Sequence, residues 1–158
     1  MPAKWLTESE AFGYLAARTE GHLATVDASG QPYIIPLNYI FFRGSVYFHC
    51  ANRGGHKLTN IAADNRVCFE VSQTDKVVFA EKPCDCATRY TSIVVFGKAR
   101  VVDDVDEKRA VMTALTDKFA AGRPYRPLDA AMMSSCTVVA VSVDKISGKR
   151  NVDPDNRQ

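Results

Sequence analysis

Two stretches, residues 33–42 and 92–96, carry apolar side chains at nearly every position, and this limits the fold more than any other feature of the chain. Successive strand residues point to opposite faces, so a sheet with one wet side alternates apolar and polar residues. These stretches do not alternate, and they need cover on each side. A barrel fills its interior with one face, while helices and a second subunit cover the other. The pattern therefore predicts a mainly β (α+β) barrel that dimerises, and 158 residues suit a single domain spanning 1–158 that folds without disulfides.

The elements around those stretches follow from local signals. Thr7-Glu8-Ser9-Glu10 reads as a capping box, with Ala11, Phe12, Leu15 and Ala16 at helical spacing behind it. From Gly21 the period shortens, and strands at residues 23–26, 33–42 and 46–50 are joined by turns at Asp27-Ala28-Ser29-Gly30 and Arg43-Gly44-Ser45, forming a meander. A short helix over residues 56–63 comes next, then strands at 67–72, 77–80 and 91–102. Asp103 or Asp104 caps a helix with Val111, Ala114, Leu115 and Phe119 on one face, stopped by Gly122 and Pro124. Residues 136–143 give the last strand.

Charge narrows the partners. Lys and Arg total 20 against 18 for Asp and Glu, a net charge of +2, and no basic run suggests a nucleic-acid or membrane arm. Any anion site must be local. Five cysteines, an odd number, three of them in apolar segments, point to a reducing cytoplasm. Glu8 and Glu10 stand where a secretory signal would be apolar, and no apolar run is long enough to span a bilayer.

The stretch from Tyr47 to Leu58 carries the chemistry. Arg53, His56 and Lys57 crowd the start of a helix, where the macrodipole already disfavours positive charge, so they ask for an anion. Gly54 and Gly55 let backbone N–H groups approach it, and a helix N-terminus with a lysine suits a phosphate; the bland alternative is a solvated basic turn. Pro36 interrupts an otherwise good strand, which places it at an edge or where pairing stops. Ile34, Pro36, Asn38 and Ile40 would then offer a flat heterocycle an apolar platform with one amide, although an edge strand with a satisfied Asn explains the same residues. His49 is open to ligand contact, His22 reads as packing, and Cys84-Asp85-Cys86 reads as a loop of reduced thiols, since no second ligand pair stands at zinc spacing. No metal site and no catalytic acid or base stand out.

Four pieces, Gly21-His22-Leu23-Ala24-Thr25-Val26, Pro36-Leu37-Asn38-Tyr39, Tyr47-Phe48-His49-Cys50-Ala51 with Gly55-His56-Lys57, and Arg89 through Gly97, together resemble the pyridoxamine 5′-phosphate oxidase-like FMN-binding split-barrel superfamily, and within it the nitroimidazole-resistance (Nim-type) flavoproteins. The resemblance implies a six-stranded antiparallel split β-barrel with a few flanking helices and FMN between two subunits of a homodimer. By the same resemblance Gly55, His56 and Lys57 hold the phosphate, and His49, Cys50 and Ala51 line the phosphate and ribityl chain. Pro36, Leu37 and Asn38 face the isoalloxazine, and Ser92 reaches the cofactor from the long strand; Thr25, in the first matching piece, is a further cofactor-binding candidate. Enzymes that make pyridoxal phosphate carry basic residues along the strand matching Tyr33 to Asn38 and an arginine-rich C-terminus. Here the strand is Tyr-Ile-Ile-Pro-Leu-Asn and the tail is short, which favours a cytoplasmic reductase of a small molecule, a nitro compound among the candidates. The alternatives are a flavin or haem binder without turnover, a pyridoxamine-phosphate-oxidase-type enzyme, and a barrel for an apolar ligand.

Overall fold

A computed structural model describes residues 3–151; the tail beyond Asn151, on which part of the argument against vitamin B6 oxidation rested, lies outside the described residues. One antiparallel sheet of nine strands wraps around the core in the order β3-β2-β6-β7-β8-β5-β4. The strands are β1 (Lys4–Trp5), β2 (Glu20–Val26), β3 (Pro32–Asn38), β4 (Ile40–Phe42), β5 (Ser45–Ala51), β6 (Arg66–Val78), β7 (Ala87–Val101), β8 (Cys136–Ser142) and β9 (Lys145–Asn151). β9 pairs with β1 and β7 off the main path. The helices are α1 (Glu8–Ala17), α2 (His56–Ala63), α3 (Val105–Ala120) and α4 (Ala130–Ser135). The two ends of the sheet, β3 and β4, follow one another in the chain but do not pair, so the barrel is split rather than closed.

β7 is the spine. Its first part pairs with β9 as far as Phe96, and beyond Gly97 it pairs with β8 from Ala99 onward, while β6 runs along its other edge. Leu23, Tyr39, Val46, Phe48, Phe69, Val71, Val95, Val139 and Val141 fill the interior. A second cluster of Ile40, Tyr47, Val102, Val138 and Ala140 is covered by Val111 and Leu115 of α3. Residues 138–141 are therefore buried on both faces, as continuous apolar character demands.

The helix signals hold. Thr7 N–H donates to Glu10 Oε2 at 2.7 Å while Glu10 N–H donates to Thr7 Oγ1 at 3.3 Å, closing the capping box of α1. Asp104 caps α3 by accepting from Glu107 N–H.

Three expectations change. The expected strand over 33–42 breaks into β3 and β4 at Tyr39, whose N–H is drawn away to the Thr19 carbonyl. The expected strands at 67–72 and 77–80 are one strand, β6, because its ladder with β7 continues past an irregularity between Thr74 and Lys76. β9 and the short β1 bring the strands to nine rather than six.

Within one chain, β3 and residues 92–96 of β7 leave apolar side chains open on one face. Ile34 is 63% exposed and Phe96 49%. They share one outer face of the sheet, together with Pro36, His22, Ala24, Cys68, Glu70, Val94 and Ser92.

Candidate functional site

The structure distributes the sequence-predicted residues over three neighbouring places. The first is the start of α2. Gly54 and Gly55 adopt φ of 71° and 136°, which only glycine takes without strain, and they swing the chain so that α2 begins at His56. No side chain caps this helix and no acidic residue lies in its first turn. Its leading N–H groups are thus left without side-chain acceptors, the condition under which a helix N-terminus attracts an anion. His56 stacks on Tyr33 with ring centroids 4.3 Å apart and lies near the Asp27 carboxylate, so its imidazole is engaged within the fold. Lys57 differs: among the described residues no carboxylate pairs with it. Its charge acts on Cys50, whose thiol burial pushes up and Lys57 draws back down. Ala51 ends β5 and is exposed.

The second place is the outer face of β3 and its neighbours. β3 is an edge strand, the position in a sheet where a proline is tolerated. Pro36 is exposed, whereas Leu37 is turned inward against the core. Ser92 sits on this same outer face and donates to Glu70 Oε1 at 3.2 Å. The other oxygen of Glu70 meets His22 Nδ1 at 3.3 Å. His22, expected to pack, instead belongs to a polar row running over β2, β6 and β7, and neither it nor Glu70 stood out as functional in the sequence.

Thr25 goes elsewhere. It is 2% exposed and accepts a hydrogen bond from the buried Asn60 amide at 3.0 Å, tying α2 to β2. It thus positions the helix rather than facing open space. Thr25→Val is expected to leave that amide unpaired and to cost about 1–3 kcal/mol. A fall in the urea midpoint would show it, and an unchanged midpoint would show that the bond contributes nothing.

The third place is a cleft of about 590 Å³ between the end of β3, β5 and α3. Asn38 and His49 line it with Met112, Leu115, Phe119 and Arg123. His49 alternates with Tyr47 and so faces α3, away from the Cys50 side of β5. Burial holds its pKa below the usual imidazole range. A depressed histidine resists protonation in the fold but not in the unfolded chain, so its contribution to stability is full above the unfolded pKa and is lost as pH falls. Between about pH 7.5 and about pH 5 the urea midpoint of the native protein should therefore drop further than that of His49→Gln; parallel curves would contradict the assignment.

All five cysteines are free thiols. Cys84 and Cys86 are exposed around a single 3-10 turn, Pro83–Asp85, with the Cys86 thiol against the backbone of Ala80. Among the described residues no group of His, Cys, Asp and Glu could hold a metal ion, and no helix is long and apolar enough to cross a membrane.

The architecture has close counterparts among solved structures. A candidate 5-nitroimidazole antibiotic resistance protein from Bacteroides thetaiotaomicron superposes with a TM-score of 0.78 at 22% identity, over 94% of this chain and 89% of that one. An FAD and haem binding protein from Mycobacterium smegmatis reaches a TM-score of 0.83 at 25% identity, over 96% and 77% of the two chains. An FAD-binding protein from Mesorhizobium loti gives 0.72 at 20% identity, over 96% and 100%. No curated protein sequence matches the chain. The family model described as pyridoxamine 5′-phosphate oxidase matches residues 7–150, nearly all of what the structure describes. The chain accordingly belongs to the pyridoxamine 5′-phosphate oxidase family, on the split antiparallel barrel that its strand order displays.

Proposed function

We propose that the protein is an FMN-dependent oxidoreductase that reduces a small molecule and works as a homodimer with the cofactor at the subunit interface. One observation carries the reading. At the start of α2 an uncapped helix end with no acidic residue in its first turn meets Lys57, which pairs with no carboxylate among the described residues. Those groups fit a phosphate. From Tyr33, stacked on His56, the strand β3 runs to Asn38; at about 3.3 Å per residue that is roughly 17 Å, the length scale of an extended flavin mononucleotide. Pro36 then lies where a flat ring would rest, and Ser92, bonded to Glu70, lies three strands away on the same outer face. Thr25 and Leu37 support this platform from behind.

The exposed apolar groups of that outer face, Ile34 and Phe96 above all, fit cover by a second copy of the chain, which would close the site from the other side. Asn38, His49 and Arg123 offer hydrogen-bond donors in the adjoining cleft, which suits an aromatic acceptor carrying an electron-rich oxygen, a nitro group included.

When bound, the flavin would supply two-electron transfer between a nicotinamide donor and that acceptor. The chain's part is to hold the phosphate with Lys57 and the α2 amides, to orient the ring on β3, and to exclude water by dimerisation. Basic residues suited to a pyridoxal phosphate substrate are missing from β3, which argues against vitamin B6 oxidation.

The neighbour from Mycobacterium smegmatis is described as binding FAD and haem, and its 25% identity gives a second reading, a flavin or haem carrier without turnover. Mass identification of the co-purifying molecule separates FMN from FAD and haem. Steady-state assays with nicotinamide donors and a panel of nitro and quinone acceptors should show turnover of the FMN-loaded dimer. Flavin that no acceptor reoxidises would overturn the enzymatic part.

A further inference from the structure

His22 is the direct cross-strand partner of Pro36 on one side and of Glu70 on the other, so the three share the outer face of the sheet. Glu70 bridges: one carboxylate oxygen accepts from Ser92 Oγ at 3.2 Å, the other meets His22 Nδ1 at 3.3 Å. The two positions read as ring contacts, Pro36 and Ser92, are thus joined by an ionisable pair. The His22 side chain is 43% exposed in the single chain, so within one chain its ring is fixed by Glu70 and otherwise unenclosed. An imidazole exchanges protons readily near neutral pH, and a carboxylate on Nδ1 sets the tautomer that leaves Nε2 for chemistry.

We infer that His22, oriented by Glu70, delivers the proton that must accompany hydride transfer to the acceptor; the inference rests on the FMN reading. The balance is simple. The acceptor takes a hydride, whose electron pair comes from a nicotinamide donor by way of the flavin, and a proton from Nε2 of cationic His22. The ring then remains neutral with Nδ1–H donating to Glu70, and a proton taken up from solvent after the product leaves restores Nε2–H. A quinone acceptor ends as the hydroquinone and the nicotinamide as its oxidised form. Glu70 is a positioning residue in this scheme.

The other groups facing this row set its field. Glu20 on β2 and Arg18 at the end of α1 line a hollow of about 260 Å³ beside His22. Cys68 lies next to Glu70 on β6, its thiol pushed up by burial and by that carboxylate. Lys149 of β9 is the cross-strand partner of Ser92, and Tyr90 follows along β7.

The test uses the full-length protein with His22→Gln and Glu70→Gln. Nitrogen-15 NMR of the apoprotein, which has only three histidines, reads the tautomer directly. Native His22 should carry its neutral-form proton on Nδ1, and Glu70→Gln should lose that preference. FMN titration establishes loading, and stopped-flow reoxidation of the nicotinamide-reduced protein by menadione gives the pH profile. The native rate should fall as pH rises. His22→Gln should be slower by about a hundredfold at low pH and lack that limb, with FMN affinity retained. An identical pH limb in native and His22→Gln proteins would overturn the inference while leaving the FMN reading intact; absence of FMN binding by the native protein would remove both together.

Discussion

Lys57→Ala should weaken FMN binding by about ten- to a hundredfold, the equivalent of roughly 1.5–3 kcal/mol for a charge-assisted contact, and barely change riboflavin binding. The difference between the two ligands is the phosphate alone, so the comparison isolates the contact. Lys57 opens α2 without a carboxylate partner among the described residues, and its removal therefore breaks no ion pair that would confuse the result. His56 is a weaker lever. Its ring is stacked on Tyr33 and lies near Asp27, so replacing it disturbs packing as well as charge. Fluorescence titrations with both flavins decide the matter, and equal losses for FMN and riboflavin would show that Lys57 does not hold a phosphate.

The second large effect concerns the frame. Gly97→Ala should destabilise the protein by about 3 kcal/mol or more, at the upper end for overpacking. Gly97 lies where β7 leaves β9 and passes to β8, and a β-carbon there would fall 1.7 Å from the Ser142 carbonyl oxygen. That oxygen belongs to backbone in the β8–β9 corner, where Asp144 N–H donates to the Phe96 carbonyl and Lys98 N–H to Ser142 Oγ. No rotamer change can relieve the clash, so the crossing of the two sheet halves must open. Urea unfolding followed by circular dichroism should show the lower midpoint, and a native midpoint would mean that the corner yields freely.

Much of this architecture was legible because it is written locally. Thr7 and Glu10 announce a capping box, and Gly54-Gly55 before His56-Lys57 announces a turn into a helix. What stayed hidden is written at long range. Ser147-Gly148-Lys149-Arg150 has little intrinsic preference for a strand, and β9 exists because its backbone pairs with residues 90–96 of β7. The polar run at the tip of β6 is a strand for the same reason.

The site divides the same way. Lys57 was visible from its neighbours in sequence, and Pro36 from the rule that proline belongs at an edge. Glu70 and His22 were not, since they are 48 residues apart and meet only through ladder register. Thr25 has a structural role that the sequence did not show. It sits within a family-like piece, but its hydroxyl serves Asn60 inside the protein.

A crystal structure of the FMN-loaded protein shows where the cofactor sits. The phosphate should be found at the start of α2, on its leading N–H groups and Lys57, with the ring along β3. A flavin seated elsewhere, or an apoprotein that refuses FMN and shows only solvent at that helix end, would contradict the account.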